Sequence, residues 1–217
     1  LLLLEVPTQV ECPGALGIQA NPFVGIGDGP VEIVLVVPRA AAIDVGDGYA
    51  LSVHIESHNH PSVVEPYGGA ATGVGGVIRD IVSMGTRPIA LLNALRFGNL
   101  DAKARDYSRT KWLFRNVVRG IADYGNCIGV PTVAGEVEFD ASFDEYCLVD
   151  VASIGYGRSD HLIRNHASIG DYIILAGGAT GSDGIGGAAF ASKGMLEQNR
   201  SAVQVPDPFE EKLLIEA

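Results

Sequence analysis

Cysteine is scarce in this chain. Three residues in 217, Cys12, Cys127 and Cys147, are widely separated and form no C-x-x-C pair. That excludes a disulfide-stapled scaffold and a cysteine-rich zinc site, and it fits a reducing cytoplasm. Long apolar runs are missing too: none approaches the roughly 18–20 residues of a membrane-spanning helix, and residues 1–4 lack the basic flank of a signal peptide. Positive charge is sparse, with 15 Lys and Arg against 26 Asp and Glu, a formal net charge of −11. Such a surface repels DNA and RNA phosphates. Aromatics make up 7% of the chain, with one Trp, and are not interleaved with basic residues, so no stacking platform for nucleic acid is present. A small phosphorylated substrate bridged by a cation remains compatible with this charge.

What is present is a globular composition, 47% hydrophobic, enough to bury a core in one large or two modest domains. The sequence has no initiator Met and ends inside an apparent helix over residues 209–217, so a fragment of a longer chain is expected.

Residues 7–30, rich in Pro, Gly and Asn, read as loop, and residues 31–37 as a short strand ended by Pro38. Over 49–56 the alternation is clean: Tyr49, Leu51, Val53 and Ile55 against Ala50, Ser52, His54 and Glu56. The apolar set is expected to face the core, and His54 and Glu56 to share the opposite face. Residues 68–76 read as a glycine-rich loop leading into a helix over 77–84, with Ile78, Ile81 and Val82 on its apolar side and Gly85 as its stop. Residues 88–97 read as a buried strand. Residues 106–124 read as a helix with Leu113, Val117, Ile121 and Tyr124 on one stripe, ended by Gly125-Asn126. Strands are expected over 131–139, 146–156 and 171–176, with a second glycine-rich loop over 177–187. Short turns between some strands predict an α/β fold with a mixed (α+β) sheet, and a domain boundary near residue 158.

The densest chemistry is Glu56-Ser57-His58-Asn59-His60-Pro61, at the end of a strand. Sheet proteins mount sites at such ends. Glu56 suits Mg²⁺, which takes oxygen ligands and keeps several waters, and an imidazole accepts a proton near neutral pH. The two imidazoles have no nearby Cys, which argues against zinc. The glycines of 68–76 can bring backbone N–H groups to a phosphate, or can serve tight helix–sheet packing. They lack the P-loop ending and a clean G-x-G-x-x-G. Arg79 can fork onto a phosphate while Asp80 holds a metal. Glu136 and Glu138 point one way on a strand, as a metal pair or as a solvated face. His161 and His166 carry no assigned role.

Residues 56–67 (Glu-Ser-His-Asn-His-Pro-Ser-Val-Val-Glu-Pro-Tyr) and 73–81 (Gly-Val-Gly-Gly-Val-Ile-Arg-Asp-Ile) closely resemble the synthetase subunits of the phosphoribosylformylglycinamidine synthase family, formylglycinamide ribonucleotide amidotransferases of purine biosynthesis. The resemblance continues through 87–98, 124–137, 180–192 and 203–209 and covers most of residues 45–217; the first 30 match poorly. It implies an ATP-dependent ligase that phosphorylates the amide oxygen of formylglycinamide ribonucleotide. Ammonia, released from glutamine on a separate glutaminase subunit, then displaces the phosphate, and a small accessory subunit completes the assembly. By motif position the resemblance makes His58 the proton-accepting catalytic residue and Glu56 and Asp80 the Mg²⁺ ligands. It makes Ser57, His58, Asn59, His60, Arg79 and Gln204 substrate-binding positions. His54 stands where relatives carry an ATP-contacting Lys. The second loop has Ser182 and Gly186 where Arg and His are common, and an upstream Ser-Glu-His-Cys segment is missing.

The fold implied has four domains, two of which pair through their sheets into a barrel-like core. Residues 1–158 would be the first, an aminoimidazole-ribonucleotide-synthetase-like domain, and 159–217 the start of a flanking α/β domain. The fragment alone is expected to have little or no activity. Aminoimidazole ribonucleotide synthetase, selenophosphate synthetase and thiamine-monophosphate kinase share the implied fold and ATP use, but residues 56–61 disfavour them. A non-catalytic nucleotide-binding or assembly module is the alternative from another class. The intact Ser-His-Asn-His with Arg79-Asp80 argues for the active half.

Overall fold

The computed structural model describes residues 2–5, 33–37, 40–163, 169–175, 181–186 and 197–217. Six strands form one sheet: β2 (Ile33–Val37), β3 (Ala40–Gly46), β4 (Tyr49–Ser57), β5 (Arg87–Phe97), β6 (Thr132–Phe139) and β7 (Cys147–Arg158). Their spatial order is β2-β3-β4-β7-β5-β6, antiparallel throughout except for the parallel β5–β6 pair. The sheet is therefore mixed, as the short turns predicted. A separate two-stranded ladder joins β1 (Leu2–Glu5) to β8 (Tyr172–Leu175).

Three helices follow the strand edges: α1 (Asn59–Val64), α2 (Pro66–Ser83) and α3 (Tyr107–Ile128). Glycine does not break α2, because its start is strongly marked. Pro66 occupies the first turn, where its missing N–H costs nothing, and the Glu65 carboxylate accepts from the Gly68 amide. The loop expected over 68–76 is thus helix. The stripe on α3 is correct, with Leu113, Val117, Ile121 and Tyr124 all buried. Its end is not: Gly125-Asn126 continue the helix. Gly129, at φ +79°, terminates it in the left-handed conformation that glycine adopts without strain.

Helices α2 and α3 cover one face of the sheet, and Val74, Val77, Ile78, Leu113 and Val117 interlock with Leu91, Leu95, Phe97, Val149 and Val151. On β4 the burial is the reverse of the expectation. Ala50, Ser52 and His54 lie under α2, while Leu51 and Val53 are half-buried and Ile55 is 64% exposed. Small residues are what a close helix–sheet contact needs. A Cβ at Gly155 would meet Ser52, Ile81 and Thr86, and the Ser52 and Thr86 hydroxyls bond to each other at 2.5 Å. Among the described residues nothing covers the apolar side of the sheet, where Tyr156 is 41% exposed and stacks on Tyr49.

After residue 158 the chain returns to this unit. Ile163 N–H bonds to Met84 O at 3.0 Å, and a last helix, α4 (Pro208–Glu216), packs on α2 and α3. Asp207 caps α4 by accepting from the Glu210 amide at 3.0 Å, and Pro208 opens the helix. Residues 177–180 and 187 of the second glycine-rich loop, and His166, lie outside the described residues; Gly184 and Gly186, in the described part of the loop, have positive φ. Among the described residues no helix is long and apolar enough to cross a membrane.

Candidate active site

The site forms where β4 ends and the chain turns into α1 and α2. His58 is the hinge: its N–H donates to Val149 O at 2.8 Å, and its carbonyl accepts from the Ser62 hydroxyl at 2.6 Å. Its ring Nδ1 bonds to the carbonyl of Gly69. A carbonyl only accepts, so Nδ1 carries the hydrogen and the neutral ring keeps its lone pair on Nε2. Burial lowers the His58 pKa and Arg79 lowers it further, while the Gly69 bond and the Glu56 carboxylate act in the opposite sense. The net direction is downward, which keeps the ring a proton acceptor at neutral pH.

The glycines of α2 line this site as a smooth helix face. A Cβ at Gly73 would stand 3.0 Å from His58 Cβ, one at Gly75 2.9 Å from Arg79 Nη1, and one at Gly76 2.9 Å from Glu56 Oε2. These are slots for side chains, not a phosphate-cradling loop, so of the two uses the sequence leaves open for these glycines the packing one is realised. Glu56, His58 and Arg79 are thereby brought together. Asp80 follows on the same helix, its Oδ2 3.1 Å from Nε2 of His54. His54 is 2% exposed and its Nδ1 has no hydrogen-bond partner among the described residues. Its ring is therefore turned to Asp80 beneath the helix.

The other predicted positions divide. Asn59 Oδ1 accepts from the Val149 amide at 2.6 Å, tying the motif to β7. His60 Nδ1 and the Tyr146 hydroxyl are 3.1 Å apart, their rings edge to face. Ser57 stands on the opposite, open side of the sheet, with its hydroxyl 2.5 Å from Asp150 Oδ1. Gln204 lies at the far end of α2, its carbonyl accepting from Thr72 Oγ1 at 3.4 Å. It lines a cleft of about 570 Å³ with Glu65, Tyr67, Asp183 and Arg200. Glu136 and Glu138 both bind Arg96, the latter at 3.0 Å, and so form an ion-pair cluster.

Two carboxylates, Glu56 and Asp80, suit a hard divalent cation. Among the described residues no group of three or more His, Cys, Asp or Glu side chains gathers as a metal cage. A pair of carboxylates would suit Mg²⁺, which takes oxygen ligands and keeps several waters, better than zinc, which takes Cys and His. Sequence reasoning missed Glu211 and the hydroxyl of Tyr124. Glu211 Oε2 lies 2.8 Å from Arg79 Nη1 and 2.6 Å from Tyr124 Oη. Its signal was available: Glu211 and Ile215 are four apart, and Ile215 packs on the core.

A mixed sheet covered on one side by glycine-slotted helices, with carboxylates and an imidazole at a strand end, defines an AIR synthase-like domain. Residues 38–156 match the family described as "AIR synthase related protein, N-terminal domain", and the chain belongs to that family. Among curated relatives, the phosphoribosylformylglycinamidine synthase subunit PurL of Thermococcus gammatolerans is 56% identical over 182 residues, 82% of this chain and 25% of the relative. The solved structure "T. maritima PurL complexed with FGAR" is 41% identical with a TM-score of 0.67, over 82% of this chain and 28% of that one. "T. maritima PurL complexed with ATP" is 40% identical with a TM-score of 0.59, over 81% and 25%. The chain thus spans about a quarter of the length of the curated relatives it matches.

Proposed function

We propose that this chain is the first core domain of the synthetase subunit of a phosphoribosylformylglycinamidine synthase, an ATP-dependent carbon–nitrogen ligase of purine biosynthesis. The observation that carries this reading is the meeting of Glu56, His58 and Arg79 along one face of α2, with Asp80 beside them. In this reading the amide oxygen of formylglycinamide ribonucleotide takes the γ-phosphoryl group of ATP, releasing ADP. Ammonia derived from glutamine then adds to the amide carbon, and phosphate leaves to give the amidine. His58 accepts the proton shed by the attacking nitrogen at Nε2, the atom its Gly69 bond leaves unprotonated. Glu56 and Asp80 would hold Mg²⁺, which neutralises phosphate charge. Arg79 meets an anionic part of the substrate, with Asn59, His60 and Gln204 shaping its surroundings and Ser57 contributing at the strand end. His54 acts on the nucleotide side through Asp80, which its ring orients.

The domain division lies near residue 158, and the uncovered apolar sheet face supports pairing with a second core domain of the same protein. A glutaminase and a small accessory subunit are the partners in this reading, with the cytoplasm as the compartment. The test uses the full-length protein with ATP, Mg²⁺, formylglycinamide ribonucleotide and ammonium chloride, following ADP release. Release that depends on that substrate and is abolished by His58→Ala is expected. Release without substrate dependence transfers the chain to another ATP-using synthetase or kinase, and no release makes it a binding module.

A further inference from the structure

Glu211 is an anomaly among the groups that surround the site. It is 5% exposed, yet Tyr124 and Arg79 both donate to the same oxygen, Oε2, and Oε1 has no hydrogen-bond partner among the described residues. A carboxylate is a poor anchor for a helix: an apolar side chain of similar volume would dock α4 at least as well. α4 has such an anchor elsewhere, in Ile215 packed against the core. The surroundings are also shaped around the bonded group. A Cβ at Gly75 would stand 2.5 Å from Tyr124 Oη and 2.9 Å from Arg79 Nη1, so the slot in α2 admits this network only when residue 75 has no side chain. Arg79 itself is 49% exposed, leaving a large part of its side chain open to solvent at the site.

We propose that Glu211 is a positioning residue: its carboxylate, steadied by Tyr124, holds one end of the Arg79 guanidinium so that the rest is aimed at the substrate. The segment beyond residue 158 thereby completes a site built on the first unit. This inference rests on Arg79 as a substrate-binding residue, and its test separates the two. Glu211→Gln keeps the volume and the hydrogen-bonding capacity but removes the charge. In the full-length protein it is expected to lower kcat/KM for formylglycinamide ribonucleotide by about tenfold to a hundredfold. The loss should fall mainly on that substrate's KM, with KM for ATP unchanged. In an Arg79→Ala background, Glu211→Gln is expected to change kcat/KM by less than about twofold, since it acts only through Arg79. An undiminished effect in that background marks a merely structural role and overturns the proposal. A wild-type protein inactive on this substrate overturns the reading of function instead. The crystal structure of Glu211→Gln then decides the positioning: the Arg79 guanidinium is expected to shift, and a guanidinium within about 0.5 Å of its original place overturns the inference.

Discussion

Two adjacent glycines of α2 should answer the same substitution in opposite ways. Alanine favours a helix interior over glycine by about 1 kcal/mol, and both Gly75 and Gly76 lie well inside the helix. At Gly75 a new Cβ would stand 2.5 Å from Tyr124 Oη and 2.8 Å from its Cζ. The Tyr124 ring is packed in the core and bonded to Glu211, so it cannot swing clear. Displacing it costs about 1–3 kcal/mol of overpacking. Parting the hydroxyl from the carboxylate costs about 1.5–3 kcal/mol more. With the helix gain set against these, Gly75→Ala should lose about 3 kcal/mol. For a unit of this size that lowers Tm by about 6–12 °C. At Gly76 the obstructing atom is Glu56 Oε2 at 2.9 Å, the tip of a flexible side chain that can turn away. Gly76→Ala should therefore keep or raise Tm while displacing the carboxylate and weakening Mg²⁺-dependent ADP release. Scanning calorimetry of both variants in the full-length protein checks this. The reasoning is refuted if Gly75→Ala melts at or above wild type, or if Gly76→Ala melts far below it.

Three further outcomes follow from groups already described. The His58 pKa lies below its ordinary 6.5, so the unfolded chain binds its proton first as pH falls. His58 should therefore cost stability as pH drops below about 6.5. The acid limb of kcat/KM should have an apparent pKa under 6.5, and a limb above 7 in the pH–rate profile would contradict the burial argument. Cys147 is buried and its thiol pushed up to about 12, whereas Cys127 is exposed. Iodoacetamide at pH 8 should label Cys127 and spare Cys147 in the native protein, as read by peptide mass spectrometry. The Arg87–Glu216 pair is solvent-exposed on both sides, so Arg87→Ala should leave Tm unchanged despite its 2.6 Å contact. A drop of several degrees would mean that this pair, not apolar packing, docks α4.

Much of the fold was legible because alternation and helical stripes follow directly from burial. The strand at β4 and the buried stripe on α3 are examples. The sidedness of β4 was not legible. Period two separates two faces without saying which meets a helix, and here the side with small residues does, since glycine-rich α2 approaches closely. The same closeness hid the first half of α2, whose glycines resemble a loop in propensity but are stabilised by what packs into their slots. The end of α3 was misplaced because Gly125-Asn126 has the composition of a stop. Only Gly129 has the backbone angle of one. At the site, a contiguous motif announced Glu56, His58 and Asn59 in six residues. Tyr124 and Glu211 come from separate helices, so no local spacing joins them to Arg79.

The distance along the chain between Arg79 and Glu211 is 132 residues, and this imposes an order on biosynthesis. At about 5–20 residues per second, a ribosome needs roughly 7–26 s to travel from one to the other. During that interval the nascent sheet, α2 and α3 can already pack, while Tyr124 and Arg79 await the carboxylate that joins them. A chain cut short before α4 would then emerge with its core assembled and that junction unmade.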